Sequence, residues 1–156
     1  MKTSLALAVL LAVSAAVGAA DTPGSDPAVR APSVQERLDS ARRAIAAGNW
    51  SGALRELNVA AREHPQNAEV HNLLGYSYRK RAVPDMARAF EHYRLALKFD
   101  PRHKGAHEYI GEAYLMERKL ADAERHLVEL EKICGNRECE EYRDLARAIA
   151  TFKARN

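Results

Sequence analysis

Two cysteines, one tryptophan and three phenylalanines are all that this 156-residue sequence contains of those residue types. Sequence motifs typical of catalysis or of cofactor binding are missing as well. There is no glycine loop that cradles phosphates, no nucleophile elbow, no H-E-x-x-H zinc motif and no C-x-x-C-H haem motif. The sequence therefore predicts a protein that is not an enzyme and that needs no cofactor.

The sequence also lacks a large excess of positive or negative charge. The chain has 24 basic and 21 acidic residues, for a net charge of +3 with the histidines neutral. No run of basic residues forms a stripe that could follow a phosphate backbone. This balance excludes nucleic acid as the expected partner.

Long apolar runs are absent except at the beginning, in "MKTSLALAVLLAVSAAVGAA". Lys2 supplies a short positive region, residues 5–17 are apolar but for one serine, and small residues end at Ala20. This pattern predicts a signal peptide over residues 1–20 that is cleaved after Ala20, since the run is short for a spanning helix. An uncleaved anchor is the competing interpretation. We expect a periplasmic protein, or a secreted one, with no membrane insertion after cleavage.

Strand-like alternation is lacking too. Residues 21–33 begin "DTPGSDPAVRAP", which holds three of the six prolines, and predict a disordered leader. Beyond it, apolar residues recur at helical spacing, and prolines and glycines separate pieces of helix length.

The helical pieces repeat when the chain is aligned on Pro65 and Pro101. Residues 48–67, 84–103 and 119–137 then match in their second helices, and "NLLGYSY" at 72–78 matches "EYIGEAY" at 108–114. The matched positions are Ala53, Ala89 and Ala123; Leu57, Tyr93 and Leu127; Gly75 and Gly111; and Tyr78 and Tyr114.

These positions resemble the tetratricopeptide repeat (TPR) motif. The resemblance implies an all-α solenoid of three helix-turn-helix repeats, at residues 34–67, 68–103 and 104–137, followed by a capping helix at 138–156. The second repeat is two residues longer because of "KRAVPD". We expect the glycines to lie where paired helices approach closely, and Tyr78, Tyr93 and Tyr114 to fill the space between successive hairpins.

The resemblance further implies a protein–protein interaction module, an adaptor or scaffold that binds a partner segment in its concave groove. The residues expected in the groove are Asn72, Tyr76, Arg79, Lys80, Glu108 and Glu112. Their order predicts a basic and aromatic groove near the second repeat and an acidic one near the third. A merely solvated charged face is the alternative, and a second copy of the chain is a candidate partner.

His103 and His107 lie four residues apart, so a metal site is an alternative interpretation, with His71 as a third ligand. The histidines would then serve a metal- or cofactor-handling accessory protein, together with the cysteines. His103 falls in the inter-repeat turn, however, and His71 and His107 occupy matching packing positions. The favoured interpretation is that these histidines pack within the array and that no metal binds.

Cys134 and Cys139 are the only cysteines, in "CGNREC". In an exported protein, such a pair predicts a disulfide between the last repeat helix and the cap. A redox-active or metal-binding pair is the alternative.

Overall fold

The computed structural model describes residues 30–155, so the predicted signal peptide and most of the predicted leader lie outside the described residues. Seven α-helices and no strands occur within 30–155. They are α1 (Val34–Ala46), α2 (Trp50–Glu63), α3 (Ala68–Lys80), α4 (Met86–Phe99), α5 (Lys104–Met116), α6 (Leu120–Cys134) and α7 (Glu140–Arg155). None of these helices is both long enough and apolar enough to cross a membrane.

Polar side chains at the helix starts explain why the helices begin where they do. Ser33 and Glu36 form a reciprocal capping box at α1. Asn67 and Asp85 accept backbone N–H groups at the starts of α3 and α4. At the other end of the array, Gly135 has a φ of 71° and ends α6, a backbone conformation that favours glycine.

Consecutive helices pack as antiparallel hairpins, α1 with α2, α3 with α4 and α5 with α6, and α7 packs on both α5 and α6. The turns within the hairpins are residues 47–49, 81–85 and 117–119. The middle turn is therefore two residues longer than the others, as the sequence "KRAVPD" indicates. This all-helical arrangement is the predicted fold class.

The alanines at the matched positions are completely buried. Ala53, Ala89 and Ala123 are each 0% exposed. Because a larger side chain would hold paired helices apart, these alanines allow the close approach on which the hairpins depend.

The two glycines, in contrast, make room for different neighbours. A Cβ on Gly75 would meet the Tyr93 ring of its own hairpin at 2.6 Å. A Cβ on Gly111 would meet Leu145 of α7 at 2.7 Å, so the nearest neighbour belongs to the capping helix and not to α6.

Two of the three tyrosines also differ from the expected packing between successive hairpins. Tyr93 lies against Gly75 within its own hairpin, and Tyr78 stacks on His92 of the same hairpin. Of the three tyrosines, Tyr114 contacts the preceding hairpin, with its ring 4.8 Å from that of Phe90. Tyr78 and Tyr93 therefore contact residues of their own hairpin, whereas aromatic contacts between hairpins include those of Tyr114 with Phe90 and of Tyr76 with Tyr109.

Candidate functional site: the concave groove

Three cavities lie along the face formed by α1, α3, α5 and α7. We call them the tyrosine cavity, the acidic cavity and the basic cavity. The tyrosine cavity, of about 310 Å³, includes Arg42, Leu73, Tyr76 and Tyr109. The acidic cavity, of about 330 Å³, includes Glu69, Asn72, Glu108, Tyr109, Glu141 and Asp144. The basic cavity, of about 570 Å³, includes Arg79, Lys80, Leu115, Met116, Arg147 and Phe152.

Neighbouring cavities share wall residues and therefore form one continuous groove. Glu69, Asn72 and Tyr109 line both the tyrosine and the acidic cavities. Asp144 lines both the acidic and the basic cavities. All six predicted groove residues line at least one of the three, so the structure brings them to one face.

Arg79 is the best-anchored residue of the groove. Its side chain is 5% exposed and donates hydrogen bonds to Glu112 at 2.6 Å and to the Tyr93 hydroxyl at 3.2 Å. The guanidinium also lies 5.5 Å from the centre of the Tyr76 ring. Arg79 therefore joins the second repeat to the third, and the predicted division into a basic and an acidic repeat is bridged at this point.

Lys80 follows Arg79 but is exposed, with its ammonium 5.9 Å from the centre of the Tyr76 ring. Tyr76 itself lies 4.7 Å from the Tyr109 ring, centre to centre. These rings and the ammonium present an amphipathic surface of the kind that binds partner side chains.

Asn72 and Glu108 are buried in the groove, at 3% and 9% exposure. Asn72 donates through Nδ2 to Glu69 at 3.2 Å, whereas its Oδ1 has no hydrogen-bond partner in residues 30–155. Burial raises the pKa of Glu108 to about 8, and the nearby carboxylates of Glu112 and Asp144 add to this effect.

Glu69 behaves in the opposite way within the same cavity. Burial alone would raise its pKa, but hydrogen bonds from His103, Arg42 and Asn72 lower it below the usual range. His103 Nδ1 accepts the backbone N–H of Ala106, so the proton lies on Nε2, which donates to Glu69 at 3.1 Å. One carboxylate of the cavity is thus neutralised by protein groups.

His71 and His107 do not face the groove; each contacts a second histidine within its own hairpin. The Nδ1 atoms of His71 and His92 are 3.1 Å apart, and those of His107 and His126 are 2.9 Å apart. His71 Nε2 donates to the Pro65 carbonyl at 2.8 Å. His71 is then an acceptor at Nδ1 when neutral, and His92 is the donor.

The third repeat reproduces the second atom for atom. His107 Nε2 donates to the Pro101 carbonyl at 3.1 Å, and Tyr114 stacks on His126 as Tyr78 stacks on His92. Burial, and then the neighbouring His107, lower the pKa of His126 to about 4. His126 is therefore a neutral packing group near pH 7.

The first repeat places an ion pair where the later repeats have histidines. Arg37 and Glu56 occupy the positions that match His71 and His92, and they form a salt bridge at 3.3 Å. Arg37 also forms a shorter salt bridge, at 2.9 Å, with Glu63 at the end of α2. Each hairpin therefore closes with a polar contact between the matching positions. Sequence reasoning missed this device, although the alignment that pairs Ala89 with Ala123 also pairs His92 with His126.

The histidines proposed as metal ligands are separated by their partners. His103 caps α5 and contacts Glu69, whereas His107 contacts His126 and a carbonyl. The alignment already indicated that His103 caps α5, because His103 matches Asn67, which caps α3 in the same way.

Cys134 and Cys139 are joined in the structure by a disulfide, with sulfurs 2.06 Å apart. The bond links the end of α6 to the turn before α7. A carboxylate oxygen of Glu141 lies within 4.8 Å of both sulfurs. In the bonded state these sulfurs are not thiolates, the form that binds metals.

The arrangement of paired helices around a concave face is that of a TPR domain, and the chain has the TPR fold. It resembles the TPR2B domain of yeast Sti1, solved in a complex with pHsp70, at a TM-score of 0.69 and 13% identity, over 79% of this chain and 98% of that one. It also resembles SycD, a type III secretion translocator chaperone of Yersinia enterocolitica, at 0.66 and 15%, over 82% and 94%.

A third similar structure is the first TPR domain of human RPAP3, with a TM-score of 0.62 and 15% identity over 79% of this chain and 97% of that one. No protein-family model matches the sequence, and no curated protein matches it. At these identities the likeness shows the fold alone.

Proposed function

We propose that this protein is an exported, non-catalytic adaptor that binds a segment of another protein along its concave groove. The observation that carries the proposal is the continuity of the groove, in which three cavities share wall residues across α3, α5 and α7. Extended segments and helices bind to such preformed grooves.

Two similar structures support a protein as the ligand. The yeast Sti1 domain was solved with pHsp70, and SycD is a translocator chaperone. The exposed Met116, at 51%, lies in the basic cavity beside cationic side chains and offers an apolar contact to a partner.

The proposed compartment is the periplasm, with secretion as the alternative. It rests on the signal-like segment at residues 1–20 and on the pair Cys134 and Cys139, because disulfides persist in oxidising compartments.

The test is affinity capture from the periplasmic fraction, with wild type beside Tyr76→Ala/Lys80→Glu. Arg79 is left intact because it is a buried structural residue. The matched control, Val128→Ala/Arg125→Glu, changes one apolar and one basic side chain on α6, both exposed and outside the groove. A partner that wild type and the control retain and the groove variant loses supports the proposal. Equal retention by all three proteins contradicts it.

The metal- or cofactor-handling alternative has less support, because His103 and His107 have separate protein partners. Metal analysis of the purified protein separates the two functions. A stoichiometric metal that is lost in His107→Ala would favour the alternative.

A further inference from the structure

Two exposed apolar side chains lie at the end of the array where the second and third hairpins turn. Val83, in the turn between α3 and α4, is 74% exposed, and Met116, the last residue of α5, is 51% exposed. The ends of α3 and α5 lie side by side, because Lys80 and Met116 line the same basic cavity. Single exposed apolar residues are ordinary, and the significance of these two depends on the side chains around them.

Basic side chains flank both apolar residues in the sequence. Lys80 and Arg81 come just before the valine, and Arg118 and Lys119 come just after the methionine. Arg81 is half-buried, and the other three are exposed. We call this set of basic and apolar residues the turn surface, and its members are Lys80, Arg81, Val83, Met116, Arg118 and Lys119.

Few carboxylates oppose the positive charge of the turn surface. Asp85 accepts the backbone N–H of Arg88, and its carboxylate also lies 3.5 Å from the guanidinium of Arg88. Glu117 is the other acidic residue in the turns 81–85 and 117–119. The turn surface therefore keeps an excess of positive charge that faces water.

The opposite end of the array, where successive repeats are joined, has the opposite charge. Residues 80–85 and 116–119 contain four basic and two acidic residues. Residues 64–69, 100–104 and 135–141, at the other end, contain three basic and five acidic residues. The described chain is thus polarised along its helices, and a negatively charged surface attracts it with the turn surface in front.

The backbone of Arg118 provides an independent observation. Its φ is 59°, in the left-handed region that residues with a Cβ adopt only at a cost. The equivalent residue of the first hairpin turn is Gly48, which has a φ of 67° and forms the same backbone hydrogen bond to the residue three before it. The third turn therefore holds an exposed arginine where glycine costs less, and such a cost is typical of positions where a side chain has a function.

We propose that the turn surface binds the headgroups of an anionic phospholipid bilayer. The basic side chains contact the phosphates, and Val83 and Met116 enter the interface between headgroups and acyl chains. A bilayer fits this region better than a peptide does, because Arg81, Val83 and Lys119 line none of the three groove cavities and lie on open turns. A flat layer of phosphates contacts two neighbouring turns at once without a pocket. The binding is peripheral and requires no groove partner.

Flotation of the purified mature protein with lipid vesicles tests this proposal. One set of vesicles contains phosphatidylcholine alone, and the other contains phosphatidylcholine with phosphatidylglycerol, so that the two sets differ in surface charge. We expect wild type to float with the anionic vesicles and not with the neutral ones. Added salt should release the protein, because screening weakens the contacts between basic side chains and phosphates.

A double variant assigns the binding to the turn surface. Arg81→Gln/Lys119→Gln removes two cations without touching a residue that lines the groove cavities. Each basic residue near an anionic bilayer contributes about fivefold to binding, so this variant should bind about 25-fold more weakly. The matched control, Arg62→Gln/Arg102→Gln, removes the same charge from exposed positions at the other end of the array and should bind as wild type does.

Single variants test the apolar contact and the strained arginine. Val83→Ser should weaken vesicle binding severalfold, whereas Val128→Ser, which changes the half-exposed valine of α6, should not. Arg118→Gly removes a cation and also relieves the left-handed backbone. It should therefore bind vesicles more weakly and yet unfold at no lower urea concentration than wild type.

Several outcomes would overturn the proposal. They are wild type that does not float with anionic vesicles, and vesicle binding by Arg81→Gln/Lys119→Gln or Arg118→Gly that equals that of wild type. An acidic protein captured by wild type and lost by Arg81→Gln/Lys119→Gln, without any flotation, would assign the turn surface to a protein instead. Failure of vesicle binding leaves the groove proposal intact, because Tyr76→Ala/Lys80→Glu tests the groove separately.

Discussion

Polar side chains lie in two regions of this molecule, between the paired helices of each repeat and along the concave groove, and the two regions satisfy them differently. Between the helices, His71 contacts His92 and His107 contacts His126, with the outer ring nitrogen of His71 and of His107 bonded to a carbonyl. In the groove, Glu108 faces other carboxylates and Asn72 Oδ1 has no donor within the described chain.

The comparison contrasts polar residues that are paired within the fold with unpaired ones in the groove. An unmet hydrogen bond alone does not mark a binding position, because the buried Ser77 Oγ also lacks a partner within the described residues and lines none of the three cavities. Reciprocal pairs leave little for a ligand to add. The groove retains a buried carboxylate and an unmet acceptor, which lower the stability of the empty protein, and proteins commonly tolerate such a cost where function requires it. The predictions below test whether this division holds.

The largest expected effect is at Arg79, which belongs to both regions. Arg79→Met removes the partner of Glu112 and leaves the buried Tyr93 hydroxyl without its donor. Breaking one side of a buried ion pair costs about 3–5 kcal/mol of unfolding free energy. Urea unfolding measures this loss. The adjacent Lys80→Met is the control, because Lys80 is exposed and its change should stay within about 0.5 kcal/mol. Equal effects of the two variants would show that Arg79 is not an anchor.

The next effect is a gain in stability. The folded pKa of Glu108 is raised from 4.5 to about 8, so the folded protein binds more protons than the unfolded chain between these values. Stability from this group is therefore lost as pH rises through that window. Glu108→Gln should be more stable than wild type by about 2–4 kcal/mol at pH 8, with the advantage vanishing toward pH 4.5.

Thermal or urea unfolding at several pH values measures this difference, with Glu91→Gln as the control for a lost surface charge. A Glu108→Gln variant that is less stable than wild type at pH 8 would mean that the carboxylate is satisfied in the folded protein. The groove would then not differ from the hairpin interiors in the way described.

The hairpin histidines should show the opposite pH dependence. The pKa of His126 is lowered from 6.5 to about 4, so the unfolded chain binds the proton first and stability is lost as pH falls through this window. We expect wild type to lose about 2–3 kcal/mol from His126 between these pH values. The loss should be smaller in His126→Gln. If the unfolding free energy of both proteins falls equally steeply as pH is lowered, the lowered pKa of His126 is contradicted.

Sequence reasoning succeeded where the physical signal repeats along the chain. The alignment on Pro65 and Pro101 predicted the hairpins and the longer middle turn, because apolar spacing and small residues determine how helices stack. The groove positions of Asn72 and Glu108 came instead from the resemblance to the TPR motif. Sequence reasoning missed the contacts between side chains that are far apart in the sequence. The spacing of residues in the sequence does not show that Arg79 hydrogen-bonds to Tyr93 and Glu112. Nor does it show that Leu145 of the capping helix packs against Gly111.

The charge of the groove is the clearest example of this limit. When each helix is considered alone, Arg79 belongs to a basic second repeat and Glu112 to an acidic third repeat. In the structure they neutralise each other. In the cavity around Glu108, α7 adds Glu141, paired with Lys104, and Asp144, paired with Arg147, whereas Glu108 itself has no ion pair within the described residues. The contribution of α7 could not be predicted, because a capping helix has no matching position in the repeats.

The smallest expected effect on stability comes from exchanging the polar pair of one repeat for that of another. The first hairpin closes with Arg37 and Glu56 where the third has His107 and His126. His107→Arg/His126→Glu transfers the Arg37–Glu56 pair to the third hairpin, without the second contact that Arg37 makes with Glu63. If any reciprocal polar pair suffices at this position, the double variant should lie within about 1 kcal/mol of wild type at pH 7, the range of partly exposed ion pairs. It should also lose less stability below pH 6.5, because the histidine pair is gone.

The single variants are the controls for this exchange. His107→Arg alone places a cation beside His126, and His126→Glu alone leaves a carboxylate beside a histidine, so each should be less stable than the double variant. Urea unfolding of all four proteins gives the coupling free energy of the pair. A coupling near zero would mean that the two positions act independently, and the division between paired interior groups and unpaired groove groups would not extend to the first repeat.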